Sequence, residues 1–150
     1  MKMNNITVVS VNISEEKGVI KKPVDKIVLN DKGVENDAHA GDWHRQVSLL
    51  AKESIDKFEE VLGRKLEFGE FAENITTEGI TLYTMKPGDL LKIADVELEV
   101  TQIGKKCHGE GCAIFSQVGK CVMPKEGIFA KVLKTGTIKP GDEISYITKE

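Results

Sequence analysis

A chain of 150 residues, 40% hydrophobic and 30% charged, can bury a core without covalent staples and is expected to form one domain over residues 1–150. Its 21 basic and 24 acidic residues leave a net charge of −3, which argues against a general nucleic-acid binder. The start, "MKMNNITVVSVNI", has no long apolar stretch of signal-peptide type, and no segment approaches the ~20 apolar residues of a membrane span. The expectation is a cytoplasmic protein with neither nucleic acid nor membrane as a partner.

In chain order, "ITVVSVNI" (6–13) and "VDKIVL" (24–29) carry β-branched residues in partial alternation and predict strands, with "QVSLL" (46–50) a shorter candidate. "KESIDKFEEVL" (52–62) places Ile55, Phe58 and Leu62 on one helical face, and Gly63 suits the position after the helix. "LLKI" (90–93) and "VELEVTQI" (96–103) predict two more strands. The second alternates Val96, Leu98 and Val100 with Glu97, Glu99 and Thr101, as one wet face requires. "PKEGIFAKVL" (124–133) predicts a second helix, with Pro124 at its first position and Gly136 beyond its end. "DEISYI" (142–147) predicts a closing strand. The echo of "KPGDLLKI" (86–93) in "KPGDEISYI" (139–147) marks two similar turn-to-strand entries, since Pro-Gly is type II turn chemistry. Many short strands with two or three short helices point to a mainly β fold, a closed or nearly closed barrel.

All three cysteines, Cys107, Cys112 and Cys121, fall in "VTQIGKKCHGEGCAIFSQVGKC" (100–121). An odd count in a reducing compartment argues against a disulfide framework. The spacings match no paired zinc-binding unit, and an iron–sulfur cluster usually needs a fourth cysteine. Lys105, Lys106 and His108 flank Cys107 and favour its thiolate, the form that attacks or ligates. Cys112 and Cys121 read equally well as small buried hydrophobes. In "GVENDAHAGDWHRQVSLL" (33–50), Asp37, His39 and His44 have side chains suited to a metal, or the segment is a solvated loop. Arg45 offers a rigid fork to phosphate or carboxylate. Lys17, Lys21 and Lys22 in "EEKGVIKKPV" (15–24) form a phosphate cradle or a charged turn. Asn74, Thr76 and Thr77 in "EFGEFAENITTEGI" (67–80) donate to a ligand or hold a turn.

The segments "KGVIKKPV", "GVENDAHAG", "RQVSLLAKESI", "GEFAENITTEGI", "GDLLKI", "LEVTQIGKKC" and "EGIFAKVLKTGTIKPGD" resemble, in this order, those of MOSC domains, the molybdenum-cofactor sulfurase C-terminal family. The stretch through "CVMPKEGIFA" is similar to its short stand-alone bacterial branch. The resemblance implies a barrel-like fold binding molybdenum cofactor (molybdopterin), with Cys107 as the thiol that ligates the metal or carries sulfur as a persulfide. It maps a cofactor pocket onto Lys17, Lys21, Arg45 and Asn74 with His39 nearby. Lys105 and Lys106 give electrostatic support, and Cys121 is placed to return to the same pocket.

A chain of this length has no room for the pyridoxal-phosphate desulfurase that the eukaryotic sulfurases carry. Sulfur is therefore expected from a separate cysteine desulfurase, with a molybdoenzyme as recipient. The N-terminal barrel of the longer reductases of this superfamily is missing too. The expected role is cofactor binding or sulfur carriage in cofactor maturation or delivery. The alternatives are a molybdenum-dependent reductase of N-hydroxylated compounds and a non-enzymatic zinc or thiol sensor.

Overall fold

Short β-branched runs separated by turns give a mainly β protein. The computed structural model describes residues 6–15, 21–38, 40–43, 46–63, 65–71, 73–103 and 127–147. Its strands are β1 (Thr7–Ile13), β2 (Lys22–Val24), β3 (Ile27–Asn30), β4 (Gly33–Val34), β5 (Val47–Ala51), β6 (Ile75–Glu78), β7 (Leu90–Ile93), β8 (Val96–Ile103), β9 (Ile128–Lys134), β10 (Gly136–Ile138) and β11 (Ile144–Ile147). Helix α1 (Lys52–Leu62) follows β5 directly, and a single 3-10 turn covers Leu82–Thr84. Eight strands form one sheet in the order β11-β7-β8-β9-β5-β6-β1-β2, and β10-β3-β4 form a second. The segment read as one strand over 24–29 is thus divided, β2 joining the large sheet and β3 the small one.

Two expectations are corrected. The large sheet is not closed into a barrel. One edge of β1 is occupied by β2 along Val11–Ile13, so β11 reaches only the start of β1. That contact is an isolated bridge, Thr7 with Glu143, flanked by hydrogen bonds from Val8 N to Asp142 O (2.9 Å) and Ile144 N to Ile6 O (2.8 Å). The expected helix over 124–133 is also overturned, because Ile128–Lys134 is strand β9, held between β8 and β5. Ile128, Phe129 and Ala130 are all buried. A strand covered on both faces shows a continuous apolar run, which cannot be told from a helical face by periodicity. Among the described residues α1 is the one α-helix.

The matching turns lie at equivalent places. Gly88 and Gly141 have φ of 100° and 96°, as a type II turn requires. In each turn the Asp side chain accepts the Lys amide, Asp89 from Lys86 and Asp142 from Lys139, both at 2.9 Å. Each also docks on a valine of a neighbouring strand: Gly88 N donates to Val100 O, and Gly141 N to Val8 O, both at 2.8 Å. Tyr146 Oη donates to Asp89 at 2.7 Å, tying the end of the second unit to the first. Burial, and then that carboxylate, push the Tyr146 hydroxyl up to about 12.

One cluster, drawn from both sheets, forms the core and includes Val11, Leu29, Val34, Leu49, Ile75, Leu98, Ile128 and Ile138. Its centre is a register row across the large sheet: Ile103, Ile128, Leu49, Ile75, Val11 and Val24 are successive partners on six strands. In β5 the alternate residues Ser48 and Leu50 point to the opposite face and are buried as well. α1 packs against β5 and β6. Phe58 of α1 meets Phe71 edge-on, with ring centroids 5.5 Å apart.

The 65–71 segment lies so close to the chain at Lys21 that a Cβ on Gly69 would sit 2.5 Å from the Lys21 carbonyl oxygen. Gly69 also has φ of 87°, where an L side chain is strained. Gly69→Ala is therefore expected to lower stability by about 3 kcal/mol, from backbone strain plus overpacking, read by urea denaturation.

Candidate functional site

Of the candidate residues, Lys21, Lys22, Asp37, Asn74, Thr76 and Thr77 are described. Lys17, His39, His44, Arg45, Lys105, Lys106, Cys107, Cys112 and Cys121 lie outside the described residues. The described part shows where the segments containing the others begin and end.

Asp37 is the hub. Its Oδ1 accepts from Lys21 Nζ at 2.8 Å and from Ser14 N at 2.9 Å, and both side chains of the ion pair are 0% exposed. Ser14 O accepts the amide of Ala38 at 2.8 Å. Ser14 ends the run out of β1, and Lys21 begins the run into β2. One carboxylate oxygen thus holds both stems of the 16–20 segment against the chain entering the 39–45 segment. Gln46 fastens the other end of that second segment. Its amide nitrogen donates to Asp31 O (3.0 Å) and Gly41 O (2.9 Å), and its amide oxygen accepts from Val132 N (2.9 Å). Among the described residues no group of three or more His, Cys, Asp or Glu is placed to hold a metal.

Asn74 is fully buried, and its polar groups are engaged by the fold. Its side-chain oxygen accepts from Ser48 N (3.0 Å) and Ser48 Oγ (3.2 Å), and its amide nitrogen donates to Asn12 O (3.2 Å). Its backbone continues the sheet: Asn74 N donates to Ser48 O (2.9 Å), and Asn12 N donates to Asn74 O (2.8 Å). The residue thus extends the β5–β6–β1 ladder by one row with its side chain as well as its backbone. Beside it lies Glu73, also 0% exposed, whose Oε2 accepts from Gly69 N and Thr76 Oγ1, both at 2.8 Å. Glu73 Oε1 has no hydrogen-bond partner. Burial pushes the Glu73 carboxyl up to about 7, against the lowering effect of those bonds.

The register also places parts of the expected site. Gly127 and Ile103, the described stems of the cysteine stretch, lie at the end of β5 where α1 begins, because Ile128 pairs with both Leu49 and Ile103. Asn74 lies one register row from Leu49, beside Ser48, whereas Gln46 stands just before β5 and Lys21 three positions before Val24, the β2 partner of Val11. Asp37 as an ion-pair partner, Asn12, Ser48 and Glu73 escaped the sequence reading. Lys21 and Asp37 are sixteen residues apart with no periodicity linking them, and nothing local marks Glu73 as buried.

Breaking a buried pair strands a charge, whereas replacing both partners by apolar groups does not. Asp37→Asn is expected to cost about 3–5 kcal/mol in urea denaturation, and Lys21→Met combined with Asp37→Leu to recover part of it, because the Ser14 amide still loses its acceptor. Equal losses in the single and double variants would contradict this account of the pair.

Comparison with known proteins places this geometry. The model of the MOSC domain family matches residues 36–145. The uncharacterized protein YflK of Bacillus subtilis is 24% identical over 169 residues, an alignment covering 99% of this chain and 76% of YflK. Among solved structures, the YuaD protein from Bacillus subtilis superposes with a TM-score of 0.78 at 18% identity, covering 99% of this chain and 98% of that one. YiiM from Geobacillus stearothermophilus gives 0.74 at 24% identity, covering 95% of this chain and 75% of YiiM. With more than half of its length matched by the family model and its fold shared with these structures, the chain belongs to the MOSC domain family.

Proposed function

We propose that this chain binds molybdenum cofactor and uses Cys107 as the thiol that ligates the metal or carries sulfur in cofactor maturation or delivery. The observation that carries the reading is family membership over residues 36–145, a span that contains Cys107 and its basic neighbours. The donor set fits the group: a thiolate suits a soft metal ion, and guanidinium and ammonium groups suit a phosphate. Lys21 is bound by Asp37 inside the fold, so its part is to hold the stem of the 16–20 segment. Direct charge for the phosphate falls to Lys17 and Arg45, with His39 nearby and Lys105 and Lys106 favouring the Cys107 thiolate. Asn74 contributes by fixing the start of β6.

A persulfide on Cys107 would take its sulfur from a separate cysteine desulfurase and pass it to a molybdoenzyme. When bound, the cofactor supplies the molybdenum and its redox chemistry. The chain supplies the thiol, the cationic grip and the frame.

Protein made in a cofactor-competent host is expected to contain molybdenum and pterin. Cys107→Ser should lose the metal or the sulfur load while keeping the wild-type melting temperature, because the hydroxyl is a poor soft ligand of similar size. Lys17→Ala and Arg45→Ala should weaken cofactor retention by roughly tenfold and flatten its salt dependence. Stoichiometric zinc alone would contradict the reading, as would a shared loss of metal and stability on replacing any of Cys107, Cys112 or Cys121.

A further inference from the structure

Glu73 stands apart from every other acidic group described, because it is wholly enclosed and only half satisfied. Its Oε2 is held by the Gly69 amide and the Thr76 hydroxyl, and its Oε1 makes no hydrogen bond, although the Phe71 and Glu73 amides lie near enough to the carboxyl to favour its anion. Thr76 in turn accepts from Asn12 Nδ2 at 3.2 Å, and the same nitrogen donates to Glu73 O at 3.0 Å. The carboxyl therefore fastens the Gly69 turn to β6, and through Asn12 to β1. The attachment is tight, because Gly69 N is the donor and Gly69 also abuts the Lys21 carbonyl.

The groups packed around this carboxyl supply no compensating charge. On β1 they are Ser10 and Asn12, joined by a 2.7 Å hydrogen bond, and on β6 Thr76. On β5 the nearest polar residue of the network is Ser48, occupied by Asn74. Glu70, in the turn itself, directs a carboxylate oxygen to Glu67 N at 3.0 Å. Lys21, whose backbone touches Gly69, has its ammonium on Asp37. The two bonds to Oε2 favour the anion, but ionisation also leaves a charged oxygen desolvated and without a partner, and burial is the larger effect.

We propose that Glu73 is a proton-operated latch: as the neutral acid it holds the turn at Gly69 onto β1 and β6, and its ionisation loosens that turn. This goes beyond cofactor binding and stands independently of it. The proton leaves Oε1 for solvent, no other bond changes, and the strain is relieved by admitting water to the freed oxygen. Asn74 follows Glu73 directly, so the latch acts at the start of β6, where the ladder to Ser48 and Asn12 begins.

The sign follows from the direction of the shift. The folded state keeps its proton to about 7, while the unfolded chain releases it near 4.5. The latch's stabilisation is therefore full below the unfolded value, falls as pH rises through about 7 and is gone above it. The test uses the intact wild-type chain and Glu73→Gln, which copies the neutral acid in shape and polarity. Carboxyl carbon NMR is expected to show a Glu73 midpoint near neutrality. Melting temperature should fall between about pH 4.5 and about 7 in wild type, relative to Glu73→Gln, and run parallel to it above that range. Protection of the Gly69 amide from exchange, corrected for base catalysis, should drop roughly tenfold from about pH 5.5 to about 8.5 in wild type only. A midpoint near the ordinary glutamate value, or equal pH responses in the two proteins, overturns the latch. If Glu73→Gln does not fold, Thr76→Val removes one donor to the carboxylate and must move the wild-type midpoint upward. An unmoved midpoint also overturns the proposal.

Discussion

One buried carboxylate oxygen, Oδ1 of Asp37, organises the loop end of this protein. It takes the Lys21 ammonium and the Ser14 amide at once, inside a region from which water is excluded. Desolvating an ion pair is costly, and the attraction repays it only when geometry is good and remaining groups are bonded. The arrangement therefore has little slack: the stems at Ser14 and Lys21 and the chain at Ala38 must be in place together or not at all. Of the basic residues expected from the sequence, Lys17 falls in the segment between the Ser14 and Lys21 stems.

The division between apolar and polar burial follows from what each can specify. The row from Ile103 through Ile128, Leu49, Ile75 and Val11 to Val24 supplies a non-directional driving force that assembles the large sheet. It does not by itself say where β6 must start. Asn74 does, because its side chain matches donors and acceptors on Ser48 and Asn12 that a one-residue slip would leave unsatisfied. Glu73 on the next position extends the same logic to the Gly69 turn, at the cost of one oxygen without a partner.

What could be read from the sequence divides along the same line. α1, β7 and β8 were legible to the residue because their patterns are local: a 3.6 repeat before Gly63, and alternation in "VELEVTQI". The Pro-Gly turns were legible because their chemistry is local too. β9 was misread because Ile128, Phe129 and Ala130 are buried on both faces by strands distant in sequence. β6 was hidden in a polar segment, since Thr76 and Thr77 are buried for tertiary reasons that no window of residues contains. Lys21 read as a cation for a ligand, and its carboxylate partner sixteen residues away emerged only from the fold. Cys107 was singled out from its neighbours and from family resemblance, but it lies outside the described residues, and the family match over residues 36–145 concerns the domain as a whole.

Buried polar ties at Asp37 and Asn74 fix the frame to which the 16–20 and 39–45 segments are attached. Native-state hydrogen exchange at about pH 5.5 reads it directly, where the Glu73 acid is neutral on this account. The amides of Ser14, Ala38 and Ser48 donate to Asp37, to Ser14 O and to Asn74 respectively. They are expected to exchange with the slowest core amides, such as those of Leu49 and Val100, by global unfolding. Exchange of Ser14 and Ala38 orders of magnitude faster than the core would show that the Asp37 hub opens locally, and would contradict the account.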